Sequence, residues 1–324
     1  MEVFKHDQSV VGFMRKAKGF GLLSLALVIT SIILIAIKGL NYGIDFSGGT
    51  VIQVKYEGNA PIRQVREILS GEKAFSGANV TFFGSDEEIV IRTKGSSNEV
   101  GNDIGDEMNR VLQPTGTFEI RRVDMVGPAV GDELRTQGIM AITLAIIGIL
   151  IYISFRFEWR FALASVVALV HDITISVGAL ALFQIDVNLP ILAAILTILG
   201  YSLNDTVIVF DRIREGIRVI KSPEIGDVID ESVTRTLSRT TLTSLTTLFV
   251  VLTLYLFGGE IISGFSFTLL VGIVVGTYSS IFIASPLLMW LNFSVADFRD
   301  KEAAQLKREK EKERMRAMFE QGTV

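Results

Sequence analysis

The sequence predicts an α-helical polytopic membrane protein. It has six transmembrane helices, with one ferredoxin-like α+β extracytoplasmic domain between the first and second. Three observations predict this. Six long uncharged runs divide the 324 residues. Residues 39–136, between the first two runs, are polar and alternate strand-like and helix-like patterns. Lys and Arg gather at every other turn between the runs. Composition narrows the function classes as well. The net charge of −4 leaves no basic surplus for nucleic acid. Hydrophobic residues at 49% against 20% charged exclude a disordered chain. With no cysteine there is no disulfide, thiolate metal site or thiol nucleophile. Two histidines, His6 and His171, are too few for a His-cluster metal site.

The first run, Gly19 to Ile37, is 19 residues long and would rise about 28 Å as a helix, enough to cross the hydrocarbon core. Arg15, Lys16 and Lys18 precede it, as in a signal peptide. The run is longer than a signal peptide needs, however, and no small-x-small cleavage site follows, so it reads as an uncleaved anchor. The other runs are Gly138–Phe155, Phe161–Ile185 (interrupted only by His171 and Asp172), Val187–Phe210 (interrupted only by Asp205), Thr240–Phe257 and Ile261–Phe293. The sixth exceeds one bilayer, so it is expected to tilt or to end along the interface. A soluble core can bury one such run but not six. Arg156 and Arg160 lie between the second and third runs, and Arg212, Arg214, Arg218, Lys221, Arg235 and Arg239 between the fourth and fifth. The turns near 184–186 and 258–260 carry neither Lys nor Arg. The positive-inside rule then puts both termini in the cytoplasm. The expected organisation is a cytoplasmic N-terminus (1–18), a first helix (19–38), an extracytoplasmic domain (39–136), a five-helix region (137–293) with a cytoplasmic loop (211–239), and a charged cytoplasmic tail (294–324). From residue 297 on, that tail holds 8 Lys+Arg and 7 Asp+Glu, the pattern of a solvated helix.

Within 39–136, the segment GGTVIQVKYEG is extended and rich in β-branched residues. PIRQVREILS opens with a proline and carries a stripe of Ile62, Val65, Ile68 and Leu69, the mark of a helix. NVTFFG and EEIVIRTK read as two strands, Asn98 to Gln113 as a helix, and TFEIRRVDMV as a last strand. The order β-α-β-β-α-β is that of a ferredoxin-like sheet. Nothing here is catalytic, and its 15 acidic against 10 basic residues form a solvated surface. The glycines of GGT lack the Gly-Lys-Ser/Thr pattern of a phosphate loop and instead suggest a tight backbone approach near the membrane. Gly39, Gly43, Gly127 and Gly131 at the domain's two ends would permit a hinge.

The ionisable groups inside the runs carry most of the functional information, because a charge in a spanning helix costs a few kcal/mol at least. Asp205 lies in the fourth run. Thr197, Tyr201 and Asp205, spaced i, i+4, i+8, suggest one polar stripe flanked by Asn204. Arg239, Thr243 and Thr247 repeat that spacing in the fifth helix. The sixth run adds Thr277, Ser279 and Ser280 and a G-x-x-x-G at Gly272 and Gly276. His171 and Asp172 fall near the middle of the third. Burial and a nearby Arg act on a carboxyl in opposite senses. Asp205 facing Arg239 is therefore the candidate proton-coupling pair, with Asp172, His171, Asn204, Tyr201 and Thr243 as secondary candidates. A static buried ion pair that fixes helix register is the competing reading.

The motifs GIDFSGGT (43–50), VGPAVGDEL (126–134), FRFEWRFAL (155–163), HD (171–172), GYSLNDTVIVFDRIRE (200–215), LSRTTLTSLTTL (237–248) and GTYSSIFIASPL (276–287) resemble the SecF members of the bacterial SecD/SecF protein-export family. The resemblance runs over some 270 residues, from the first to the sixth run. It implies a subunit of the resistance-nodulation-division superfamily that pairs with a SecD-like subunit, associates with the SecYEG translocon, and uses the proton-motive force to draw preproteins across the inner membrane. The family's intramembrane Asp falls on Asp205 and its Arg on Arg239. No enzyme activity, metal or cofactor is implied; protons are the coupling ion, and membrane lipid surrounds the chain. The alternatives are a free-standing proton-driven small-molecule exporter, an intramembrane hydrolase using Asp172 and Asp205, and a scaffold for the translocon.

Overall fold

The computed structural model describes residues 10–75, 77–94 and 104–320. Six helices in it are long and apolar enough to cross a membrane: Met14–Lys38, Pro128–Arg156, Trp159–Phe183, Leu189–Val219, Ile225–Phe257 and Glu260–Trp290. They answer the six uncharged runs one for one. In chain order, a 3₁₀ turn leads into α1 (Ala17–Lys38), and a short α2 (Ile44–Ser47) precedes β1 (Gly49–Tyr56). Then come α3 (Ile62–Gly71), β2 (Asn79–Phe83), β3 (Ser85–Thr93), α4 (Ile104–Leu112) and β4 (Phe118–Val126). The membrane region follows as α5 (Pro128–Arg156), α6 (Trp159–Phe183), α7 (Leu189–Val219), α8 (Ile225–Phe257), α9 (Glu260–Ser279) and α10 (Ser285–Trp290). The tail forms α11 (Val295–Glu320). The part of the expected Asn98–Gln113 helix before Ile104 lies outside the described residues, as does His6.

The sheet is antiparallel with strand order β2-β3-β1-β4, which is the ferredoxin-like arrangement. Ile52, Val54, Ile89 and Ile91 alternate onto the face covered by α3 and α4, where Val65, Leu69 and Met108 are fully buried. The connection between β2 and β3 is the single residue Gly84, with Phe83 paired to Ser85.

The GG pair does make a tight approach. Gly48 adopts φ +68, ψ 168, and a Cβ there would stand 2.7 Å from Pro128 Cα. A Cβ on Gly131 would stand 2.8 Å from Gly48 N. The chain entering the sheet is thereby pressed against the start of α5. This corrects the hinge expectation for two of its four glycines. Gly131 is packed against Gly48, and Gly43 N–H donates to Val187 O at 2.8 Å; Gly39 and Gly127 are open. The turn between α6 and α7 completes the clamp. Val187 N–H donates to Asn41 O at 2.7 Å, Asp186 pairs with Arg92 and bonds Asn41, and Asp45 caps Leu189 N–H at 2.9 Å.

In the membrane region α6, α7 and α9 form the centre, flanked by α1, α5 and α8, whose outer faces are apolar and exposed. Gly272 and Gly276 place α9 directly on Ile198 and Ser202 of α7, as a G-x-x-x-G permits. The segment 211–239 is helical for most of its length: α7 runs on to Val219, α8 begins at Ile225, and only Ile220–Glu224 breaks the helix. Amphipathic residues cause this, since Ile213, Ile217, Val228 and Ile229 are all buried together. The sixth span is not a straight rod. Five residues, Ser280–Ala284, form a π-helical turn before Pro286 and α10. At the same end α11 docks through Arg299, which donates to Ile217 O at 2.7 Å and Ile220 O at 2.5 Å.

Candidate functional site

Two carboxyls lie in the middle of the helix bundle, each about 1% exposed: Asp205 on α7 and Asp172 on α6. Helix α7 is started by Asn188, whose Oδ1 accepts from Ile191 N–H at 3.0 Å, with Pro190 in the first turn. Seventeen residues after Asn188, Asp205 faces α8 and α9. Ser244 Oγ on α8 donates to Asp205 Oδ2 at 3.3 Å, and Thr277 Oγ1 on α9 donates to Ser244 Oγ at 2.8 Å. Asp172 is held by more partners. Its Oδ1 lies 2.8 Å from His171 Nδ1, and its Oδ2 lies 2.5 Å from Ser202 Oγ on α7 and 2.8 Å from Ser279 Oγ on α9.

Neither carboxyl forms an ion pair with Lys or Arg among the described residues. Hydroxyls do the holding. A hydroxyl donates to a carboxylate and accepts from a carboxylic acid, so these sites accommodate either protonation state without changing neighbours. That is a chemistry for binding and releasing protons. Aspartyl hydrolysis uses two carboxyls sharing one proton; Asp172 and Asp205 each have their own hydroxyl partners.

The Asp205–Arg239 ion pair expected from spacing is not formed. Arg239 is exposed on α8 and makes no ion pair with Asp205 among the described residues. Helix geometry explains this. Ser244 faces Asp205, and five residues turn an α-helix by about 140°, which carries Arg239 off that face. The stripe on α7 also drifts. At i+4 steps of about 40° each, Thr197 is exposed, Tyr201 half-buried and Asp205 buried. The Tyr201 hydroxyl is buried without a hydrogen-bond partner among the described residues. Asn204 is exposed beside Asp205. Thr243 is exposed, and its hydroxyl turns back to the carbonyls of Arg239 and Thr240, 3.0 Å from each. His171 and Asp172, which point about 100° apart on an ideal helix, instead bond to each other. Ser202, Ser244 and Tyr278 were not singled out in the sequence. The available signal was the same-face position of Ser202, three residues before Asp205.

Two family models match this chain. One describes the C-terminal region of the protein export membrane proteins SecD/SecF and covers residues 107–294; the other describes the SecD/SecF GG motif and covers residues 33–60. The chain belongs to the SecD/SecF family of protein-export membrane proteins. Its similarity is to the SecF branch. It is 47% identical to the protein translocase subunit SecF of Helicobacter pylori strain J99, over 100% of both chains. It is 46% identical to that of Vibrio alginolyticus, over 88% of this chain and 90% of the other. In three dimensions it is similar to the crystal structure of SecDF, a translocon-associated membrane protein, from Thermus thermophilus. There the TM-score is 0.80 at 35% identity, covering 88% of this chain and 39% of the solved one.

Proposed function

We propose that this chain is the SecF-type half of a proton-driven accessory to protein translocation. It works with a SecD-like partner beside the SecYEG translocon and acts on preproteins, without covalent chemistry. It lies in the bacterial inner membrane with both termini cytoplasmic and the sheet domain outside; the placement of Arg and Lys between the spans supports this orientation.

The observation that carries the reading is the pairing of a buried, hydroxyl-held Asp205 with an exposed polar face. Asn204 of α7 and Arg239, Thr243 and Thr246 of α8 are exposed in the lone chain. Polar side chains left exposed along a spanning helix are costly against lipid, so that face is suited to cover by a second chain. The solved SecDF chain, of which this chain spans 39%, has ample length for such a half. With a partner closing over it, Arg239 is confined near Asp205. Protonation of Asp205 then removes a negative charge from the neighbourhood of Arg239, and release restores it. A potential of 100 mV contributes about 2.3 kcal/mol per charge to such a step.

The test is preprotein translocation into inverted membrane vesicles containing the complex, wild type against Asp205→Asn. The proposal expects loss of proton-motive stimulation with complex assembly and ATP-driven translocation retained. Full stimulation at normal expression would reduce Asp205 to a packing residue.

A further inference from the structure

Besides Asp205, the bundle holds a second titratable group that the proposed coupling step does not use. We infer that the His171–Asp172 pair is a second proton-binding site, whose occupancy sets how the last membrane helix is held against α1 and α6. The pair links four helices. Asp172 on α6 reaches Ser202 on α7 and Ser279 on α9. His171 lies against the ring of Tyr278 on α9, with centroids 6.3 Å apart and planes inclined by 24°. The Tyr278 hydroxyl donates to Phe20 O of α1 at 2.8 Å and lies 2.9 Å from Ser24 Oγ.

The surroundings isolate the pair electrically. The groups presented to it are Tyr278 and Ser279 from α9, Ser24 of α1 through Tyr278, and Ser202 from α7. Asp205, one turn beyond Ser202, is turned to Ser244. No Lys or Arg pairs with it among the described residues. The pair with a neutral ring and a carboxylate carries one negative charge. One added proton makes it neutral, either as imidazolium with carboxylate or as imidazole with carboxylic acid. The 2.8 Å Nδ1–Oδ1 contact serves all three states. At the other edge of the ring, Nε2 is buried and has no hydrogen-bond partner among the described residues, with His171 only 7% exposed. An unsatisfied buried polar atom costs about 1–3 kcal/mol, so this edge is the place for a proton to arrive or leave.

The link to the helix is Ser279. Its single hydroxyl hydrogen lies within reach of Asp172 Oδ2 at 2.8 Å and of Gly276 O at 3.1 Å. A carboxylate takes that hydrogen. A carboxylic acid donates to Ser279 instead, and Ser279 turns to Gly276. The exchange falls one residue before the π-helical turn Ser280–Ala284, an irregularity often found where helices function.

The test uses the full chain with its SecD-like partner in proteoliposomes. Proton binding is read by pH-difference infrared spectroscopy of the carboxyl stretch in an Asp205→Asn background. A residual carboxyl signal is expected, abolished by adding Asp172→Asn and displaced in pH midpoint by His171→Gln. Helix position is read by spin-label distances between Leu22→Cys on α1 and Val274→Cys on α9. Both positions are exposed, and the chain has no native cysteine. The distance distribution should depend on pH in the unmodified pair and lose that dependence in His171→Gln. Absence of any Asp172-dependent carboxyl signal, or an unchanged pH response in His171→Gln, overturns the inference. If Asp172→Asn fails to assemble, Ser279→Ala takes its place and must displace the residual band. These readouts do not require Asp205, so failure here and failure of the Asp205 role are separately visible.

Discussion

Replacing Gly48 with Ala should loosen the joint between the sheet domain and the membrane region. Gly48 sits at φ +68 and ψ 168, a combination open almost only to glycine, and an L residue held there costs about 1–3 kcal/mol. A Cβ would also stand 2.7 Å from Pro128 Cα and 3.0 Å from Pro128 N. Both are backbone atoms at the start of α5, so no rotamer change relieves the contact, and overpacking of this kind costs about 1–3 kcal/mol. Together the two effects weaken the joint by roughly 2–6 kcal/mol. Local opening would then rise about 30-fold or more, at tenfold per 1.4 kcal/mol. Hydrogen exchange of the Gly49–Tyr56 strand in the purified complex measures this without requiring global unfolding. Gly127→Ala is the matched control, because Gly127 has φ −66 and nothing within 4 Å of a Cβ. Equal exchange in the two variants would refute the reasoning.

Three further outcomes follow from the same structure. Ser244→Ala removes the hydroxyl donor to Asp205, a bond to a charged group worth about 1.5–3 kcal/mol, and should cut proton-stimulated translocation about tenfold; an unchanged rate would mean Ser244 does not hold Asp205. Arg299→Ala deletes both bonds to the end of α7, so α11 should be clipped faster by protease while the six spans stay intact. Burial of Tyr56 pushes its phenol above the ordinary 10.0, with the Thr115 hydroxyl opposing in smaller measure. The unfolded chain therefore releases that proton first, and the domain should lose stability as pH rises above about 10. Tyr56→Phe should flatten this slope in an alkaline titration of exchange rates.

The elements were legible because their signals are local. Each uncharged run became a spanning helix, and the β-α-β-β-α-β order became the expected sheet. Charge density alone does not show that 211–239 is helical for most of its length. Ile213, Ile217, Val228 and Ile229 carry an apolar face straight through those charges. Within the site, the identity of the buried carboxyls was readable from their rarity in apolar runs. Their partners were not. Which of Ser202, Ser244, Thr243 or Arg239 meets a carboxyl depends on helix rotation and on which helices are neighbours, and a drift of about 40° per i+4 step is enough to expose Thr197 while burying Asp205. His171 and Asp172 show the same limit: adjacent residues on a helix touched only because both were confined among α1, α7 and α9.

Helix α7 is bonded at both of its extremities to parts that lie beyond the bilayer region. Its first amide is held by Asp45, next to the sheet domain, and its last carbonyls by Arg299 of the tail helix. Its 31 residues make a continuous strut about 46 Å long, and Asp205 sits close to its midpoint. An axial shift or roll begun at the midpoint is delivered to both extremities in one stroke, because no break in the helix can absorb it. Opposite sides of the membrane are therefore mechanically in step through a single piece of backbone.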